Sequence, residues 1–514
     1  MRAQEGDAHR GLSLASWALA GVLSATFVAL AVPAIGTIFL DYDEGYLMLD
    51  GRFILRGARP FVDFVHHQSP LHLYLLALSG RLFGETLLGF RMLSLLSVAG
   101  SGLLLFAWVR PLVGVLPALL AQAVFLFVPA QVHAMSAVAE PPMVFCTLLG
   151  VVLLFGGRGR GSAYAAAVAL VGALLIKPTA LLMVVAAGLS LVYARDWRRL
   201  GHFAAAGVVA GVAGLIWILV DSGGIFADIL RFQVQRVGTR NVGMWSIESG
   251  FAEMRRHLGI ATPGQWAVYV FTSFCDFPAR YVTIAVLVAS LAGLPFWLIR
   301  WARGRPALQA FAVLWPAAYL LLNFAAVDFV SAKYFVPYLA CAAFLLAGLF
   351  GQVQRYVPST AAAVAAALIG AALVVHFAGV LTRHQDPWYL GRADWITEHH
   401  PDAISFSPIL FAATGAEPGC GFANPALAYG GFGEVVLDTE RTRAFRFTDQ
   451  RLIDCLRANP QTPMVIDWSF YFFTRPGSPL RVYLEGEGSA QRLFFSPEAL
   501  KQWDDPVLSM GSNG

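Results

Sequence analysis

Apolar runs long enough to cross a bilayer as a helix, about 20 residues, recur along this 514-residue chain as far as residue 381. The pattern places spans near 14–38, 88–109, 112–131, 140–157, 161–176, 178–193, 203–221, 281–299, 308–326, 334–351 and 358–381. Inside hydrocarbon every backbone polar group must find its partner within the protein, and runs of this length select helices over a closed barrel. Composition agrees. Only 13% of residues are charged, against about 25% in soluble domains, and the mean hydropathy is +0.63. The segment 70–84 (PLHLYLLALSGRLFG) is apolar but too short and interrupted, and reads as an interfacial or re-entrant helix. The run from Leu12 to Leu40 exceeds a signal-peptide core, so the first span is expected to be retained.

Orientation follows from the tendency of basic short loops to stay inside. With a cytoplasmic N-terminus, twelve arginines fall on inner connections, among them Arg110, Arg160, Arg198, Arg199 and Arg300. The short outer connections hold only Lys177 and Lys333, two of just three lysines in the chain. Two long outer loops result, 39–87 and 222–280, and the C-terminus lies outside. The net charge of +4 gives no reason to expect a nucleic-acid partner. No internal repeat is evident, unlike many transporters.

Residues 382–514 change character, with Pro, Asp, Asn and Glu and no further 20-residue apolar run. ADWITEHH reads as a helix, and AISFSP and PMVIDWSF as strands bounded by turn residues. The expected architecture is an all-α polytopic membrane domain, 1–381, followed by a small extracytoplasmic α/β domain, 382–514. Cys146 and Cys341 fall in apolar spans. Cys275, Cys420 and Cys455 fall in polar segments, where Cys420 and Cys455 can form a disulfide if the region lies outside the cytoplasm.

The densest cluster of reactive groups follows the first span, in LDYDEGYLMLDGRFILRGARPFVDFVHHQSPLHLYLL. Asp41, Asp43 and Glu44 come first. Tyr46, Leu49, Phe53 and Ile54 then recur near helical spacing with Asp50, Arg52 and Arg56 between them, the pattern of an amphipathic interfacial helix. Gly57, Pro60 and Pro70 punctuate the rest, with His66, His67 and Gln68 before the short apolar segment. Acids at a membrane boundary commonly serve as solvated caps, and this reading holds for Asp41 and Glu44 taken alone. Three acids in four residues, with a helix and a His pair behind them, exceed what a cap needs. The histidines leave a divalent metal open, although no recognised zinc spacing is present.

Residues 41–76 resemble the first outer loop of the glycosyltransferase C superfamily, closest to its protein O-mannosyltransferase, aminoarabinose transferase and Rgt-type branch. The features carrying the resemblance are Asp43-Glu44, then Gly57-Ala58-Arg59-Pro60-Phe61, then His67-Gln68-Ser69-Pro70-Leu71. Farther on, Ala139-Glu140-Pro141 matches a second family acid, Ile176-Lys177-Pro178 a family lysine, and Lys333-Tyr334 a basic-aromatic pair. The resemblance covers about residues 14–350. Gln68 departs from it, standing where many members have a phosphate-gripping Lys.

The resemblance implies sugar transfer, with inversion, from a polyprenyl-phosphate donor to an acceptor hydroxyl on the outer face of a bacterial plasma membrane. The acceptor class stays open among glycolipid, polysaccharide and protein. An attacking hydroxyl needs a carboxylate to take its proton, a role expected of Asp43, with Glu44 or Glu140 orienting. A phosphate leaving group needs positive charge rather than a second acid, which directs attention to Lys177, Lys333 and Arg59, with Tyr334, His67 and Gln68 as further contacts. For the arginines, snorkelling to the interface is the simpler account. A transporter or flippase of lipid-linked sugars is the competing reading, and would put charges near the bilayer midplane. An assembly protein, for which Asp43 is dispensable, is a third.

Overall fold

The computed structural model describes residues 2–38, 42–64, 66, 69–157, 159–221, 280–303, 336–383, 387–422, 429, 447–467, 469–470, 474, 477–486 and 491–496. Asp41, His67, Gln68, nearly all of the loop 222–280, the span expected at 308–326, and Lys333-Tyr334 lie outside them. The chain divides into two compact units. One holds the described residues of 1–38, 91–215 and 270–385, the other those of 39–90, 216–269 and 386–514.

The first unit is a helical bundle. It contains α1 (Arg2–Ile35), most of α4 (Leu87–Val113), α5 (Val115–Phe127), α6 (Glu140–Val151), α7 (Arg160–Ile176), α8 (Leu181–Tyr193), most of α9 (Trp197–Asp221), α10 (Arg280–Ala302), α11 (Val336–Val353) and α12 (Ser359–Arg383). Among the described residues, helix runs through ten of the eleven apolar stretches. Five helices are long and apolar enough to cross a membrane alone: Leu14–Ile35, Leu87–Val113, Trp197–Asp221, Val336–Val353 and Ser359–Arg383. A sixth results if α5 and the 3-10 turn Pro129–Met135, bent by 64°, are one span. Pro129, which cannot donate to the preceding turn, marks the break. Only 17% of the Trp197–Asp221 span and 22% of Ser359–Arg383 is buried. Apolar surface this extensive is tolerable in lipid, not in water. Some polar groups inside the bundle bond locally: Gln122 donates to Ala20 O (2.9 Å) and to Ser24 Oγ (3.1 Å), while Ser24 donates to Ala99 O (3.0 Å). These bonds join α1, α4 and α5.

The second unit gathers α2 (Tyr42–Leu55) and α3 (Leu71–Phe83) with the C-terminal elements. Those are α13 (Pro387–His399), β1 (Ile404–Ser405), α14 (Pro408–Thr414), α15 (Asp449–Ala458), β2 (Met464–Ile466), α16 (Pro479–Gly486) and β3 (Arg492–Phe494). The helix and both strands read from ADWITEHH, AISFSP and PMVIDWSF are present. The three strands form a parallel sheet in the order β1-β2-β3, with Ile404 opposite Met464 and Met464 opposite Arg492. Phe406, Phe422, Tyr429 and Phe470 build an edge-to-face aromatic core beneath it. Cys420 and Cys455 are disulfide-bonded against that core.

One expectation needs correction. Residues 44–52 of α2 are all buried, so this helix has no free apolar face to lay in a membrane interface. The reason is packing that sequence periodicity does not register. Gly51 sits against Leu76 and Phe90 on one side, and Gly45 meets the backbone of Pro408 and Ile409 on another.

Candidate functional site

Asp43 and Glu44 occupy the first turn of α2, where the partial positive charge of the helix N-terminus favours acids. Glu44 is completely buried, whereas Asp43 is partly accessible. The two neighbours therefore differ in what they can reach. Asp43 keeps part of its surface accessible, and Glu44 is enclosed by the protein.

Several contacts fix α2. Asp50, nearly two turns past Asp43, lies 3.0 Å from His66 Nδ1, and both side chains are buried. Burial pushes the Asp50 carboxyl well above the usual carboxylate range and the His66 imidazole down to about 3, because an enclosed site disfavours the charged form of each. Arg52 is buried and donates to Phe411 O (3.2 Å), Ala412 O (3.0 Å) and Glu85 O (2.9 Å). Its guanidinium also lies 3.5 Å from the Glu85 carboxylate. Arg56 pairs with Glu417.

The helix ends in a Schellman motif. Ala58 N–H donates to Phe53 O (3.0 Å) and Gly57 N–H to Ile54 O (2.9 Å), with Gly57 at φ +88°. This is the turn on which the Gly57-to-Phe61 part of the resemblance rests. Phe61 itself is buried at φ +69°, a left-handed conformation that a non-glycine residue rarely takes. Arg59 follows the cap, mostly exposed, with its backbone N–H donating to Asp63 Oδ2 (2.7 Å) and its guanidinium 3.8 Å from the same carboxylate.

In the membrane unit, Glu140 and Lys177 form a buried ion pair. Local sequence explains both positions. Glu140 begins α6 ahead of Pro141 and Pro142, residues suited to a first helical turn. Pro178 bars Lys177 from helical geometry, so Lys177 is extended (φ −148°, ψ 125°) at the end of α7, and its side chain turns into the bundle.

The structure thus joins some expected site residues and reassigns others. Glu140 and Lys177, read as separate features, are bonded to each other. Arg52 is consumed in holding α14, whereas Arg56 and Arg59 are both exposed, paired with Glu417 and Asp63. His66 spends Nδ1 on Asp50, and among the described residues no three His, Cys, Asp or Glu side chains converge on a metal-sized site. Reading the sequence missed the Asp50–His66 pair and Arg91. Arg91 is fully buried and donates to Ile35 O and to Ile38 O (2.7 Å), capping the end of α1 just before the acids. A lone Arg in an apolar run was the one available signal.

Comparison with known proteins now bears on this arrangement. Residues 67–220 match the dolichyl-phosphate-mannose-protein mannosyltransferase family model. Among solved structures, apo ArnT from Cupriavidus metallidurans is similar over 96% of this chain and 91% of that one, at TM-score 0.54 and 14% identity. The Archaeoglobus fulgidus oligosaccharyltransferase, complexed with Zn and sulfate, is similar over 95% and 74%, at TM-score 0.53 and 13% identity. The same archaeal enzyme, AglB, in complex with an inhibitory peptide and a dolichol-phosphate, matches over 80% of this chain at TM-score 0.50 and 13% identity. In that comparison this chain spans 64% of the archaeal chain's length. The chain has the glycosyltransferase C fold. No curated protein sequence matches it.

Proposed function

We propose that this protein is an inverting membrane glycosyltransferase that moves a sugar from a polyprenyl-phosphate donor to an acceptor hydroxyl on the outer face of a bacterial plasma membrane. The observation that carries the reading is the Asp43-Glu44 pair, one acid partly accessible and one enclosed, on the first turn of a helix buried over residues 44–52. The glycosyltransferase C fold supports it, as does the mannosyltransferase family match. An archaeal protein of similar fold binds a dolichol-phosphate, which favours a lipid-phosphate donor.

Asp43 takes the proton of the attacking hydroxyl. Glu44, held out of solvent, orients it, and Glu140 serves the acceptor or donor sugar in its own unit. Phosphate leaves without a protonating acid, so its charge is the group to be met. Lys177, the cation paired with Glu140, supplies positive charge for the phosphate. Arg59, Lys333 and Tyr334 are the remaining candidates, with His67 and Gln68 where the family pattern has a Lys. The topology that goes with this reading has eleven crossings, a cytoplasmic N-terminus and residues 382–514 outside the cytoplasm. The acceptor is a glycolipid, a polysaccharide or a protein.

A flippase or transporter would need ionisable groups along a path through the bundle. The buried Glu140–Lys177 pair instead sits at helix ends, at the start of α6 and the end of α7. Asp43→Asn, assayed in membranes supplied with a radiolabelled polyprenyl-phosphate sugar, should lose at least about a hundredfold in transfer, the usual scale of general-base catalysis. Transfer at the wild-type rate with normal expression would sink the assignment.

A further inference from the structure

Gly45 and Arg52 of α2 and Arg56, the residue just past its end, form one stripe, spaced seven and four apart and so on one helix face. All three meet the segment Pro408–Glu417. A Cβ placed on Gly45 would lie 2.2 Å from Ile409 N, 2.6 Å from Ile409 Cα and 2.7 Å from the Pro408 carbonyl carbon. These are backbone atoms and cannot swing aside. Two turns on, Arg52 donates to the carbonyls of Phe411 and Ala412. These carbonyls belong to the last turn of α14, which ends at Gly415 in the left-handed conformation (φ +86°). They are among the last four carbonyls of that helix and form its negative pole, where a cation is favoured, although Phe411 O also accepts from Gly415 N–H (2.9 Å). One turn farther, Arg56 pairs with Glu417.

We propose that the segment 408–417 positions the acid helix, with Gly45 and Arg52 as the positioning residues that set where Asp43 stands. Neither residue touches substrate. Gly45 lets α14 seat against the turn that bears both acids. Arg52 fixes the other end of the same stripe, about 10 Å along the axis at 1.5 Å per residue, so the helix can neither tilt nor slide. The C-terminal region is then a working part of the transfer machinery rather than an appended module. The inference rests on reading Asp43 as the base, because the pose of α2 matters to turnover through that carboxylate. A displacement of about 1 Å in a reacting group is enough to cost on the order of a hundredfold in rate.

The test uses the full chain in lipid nanodiscs. Arg52→Lys keeps the charge but loses the planar fork that reaches several carbonyls at once. Gly45→Ala adds the clashing methyl. For both, amide hydrogen exchange in 42–49 and in 408–417 should rise together. Turnover per monodisperse protein should fall roughly tenfold to a hundredfold, with KM for the polyprenyl-phosphate sugar unchanged within about threefold. Faster exchange confined to 408–417, or loss of yield with normal turnover in the surviving protein, would mean a structural contact only and overturn the proposal. If neither variant folds, the exposed pair offers a milder cut. Arg56→Gln should raise exchange in 42–49 as well as 408–417, and no change in 42–49 overturns the proposal. If wild-type protein transfers no sugar from any polyprenyl-phosphate donor, the glycosyltransferase reading fails, while the coupled exchange still decides whether 408–417 fixes the acid helix.

Discussion

Glu140 and Lys177 set the energetics at the residue scale. Each is an expensive group to enclose, and the ion pair offsets the desolvation of both. Lys177→Met should cost about 3–5 kcal/mol by stranding Glu140, and Glu140→Gln added to it should restore part of that loss. Thermal unfolding of the two variants in the same detergent measures the difference. A double variant no better than the single one would mean that the two side chains are held independently. The same logic governs Arg52 and Arg91. Each is buried where backbone carbonyls accept its hydrogen bonds, and neither retains the freedom to serve a lipid phosphate.

Among the elements, β2 carries the clearest pH signature. Asp467, just past the strand, accepts from Ser469 Oγ and from Phe470 N–H (3.0 Å), yet burial pushes its carboxyl up to about 6. A raised carboxyl favours the fold when protonated. Its contribution is complete below the unfolded value near 3.8 and is lost as pH rises through about 6. Asp467→Asn keeps both acceptor bonds without a charge, and should flatten the fall in Tm between about pH 4 and pH 6. An unchanged pH profile would assign that limb to other groups. Local chemistry made several elements legible beforehand. Gly57 ends α2, Pro178 turns Lys177, and Pro141 with Pro142 opens α6, all because φ restrictions act within a few residues. The environment of α2 was not legible. Its alternation of apolar and charged residues suits an interfacial helix equally well, and its covering segment lies more than 350 residues away in sequence.

At the scale of the whole molecule, the second unit joins residues of 39–90 to the C-terminal region, and the Cys420–Cys455 bond closes a 35-residue separation within it. A disulfide of this kind persists in an oxidising compartment, which agrees with the proposed extracytoplasmic face. Protein purified under thiol-blocking conditions should migrate differently from Cys420→Ser on a non-reducing gel, and the variant should lose about 2–5 kcal/mol of stability. Identical mobility and Tm would place this region in a reducing compartment and reverse the topology.

The apolar runs by themselves determined that this chain is a bundle of membrane helices, because in hydrocarbon only closed backbone hydrogen bonding survives and run length sets the element. They also located Asp43, Glu44, Glu140 and Lys177, because ionisable groups are conspicuous where so few occur. Tertiary structure alone decided what those groups hold. It joined Glu140 to Lys177, Asp50 to His66 and Arg52 to the end of α14. Partnership between groups 16 to 360 residues apart depends on chain folding in three dimensions, and short-range propensity carries no record of it.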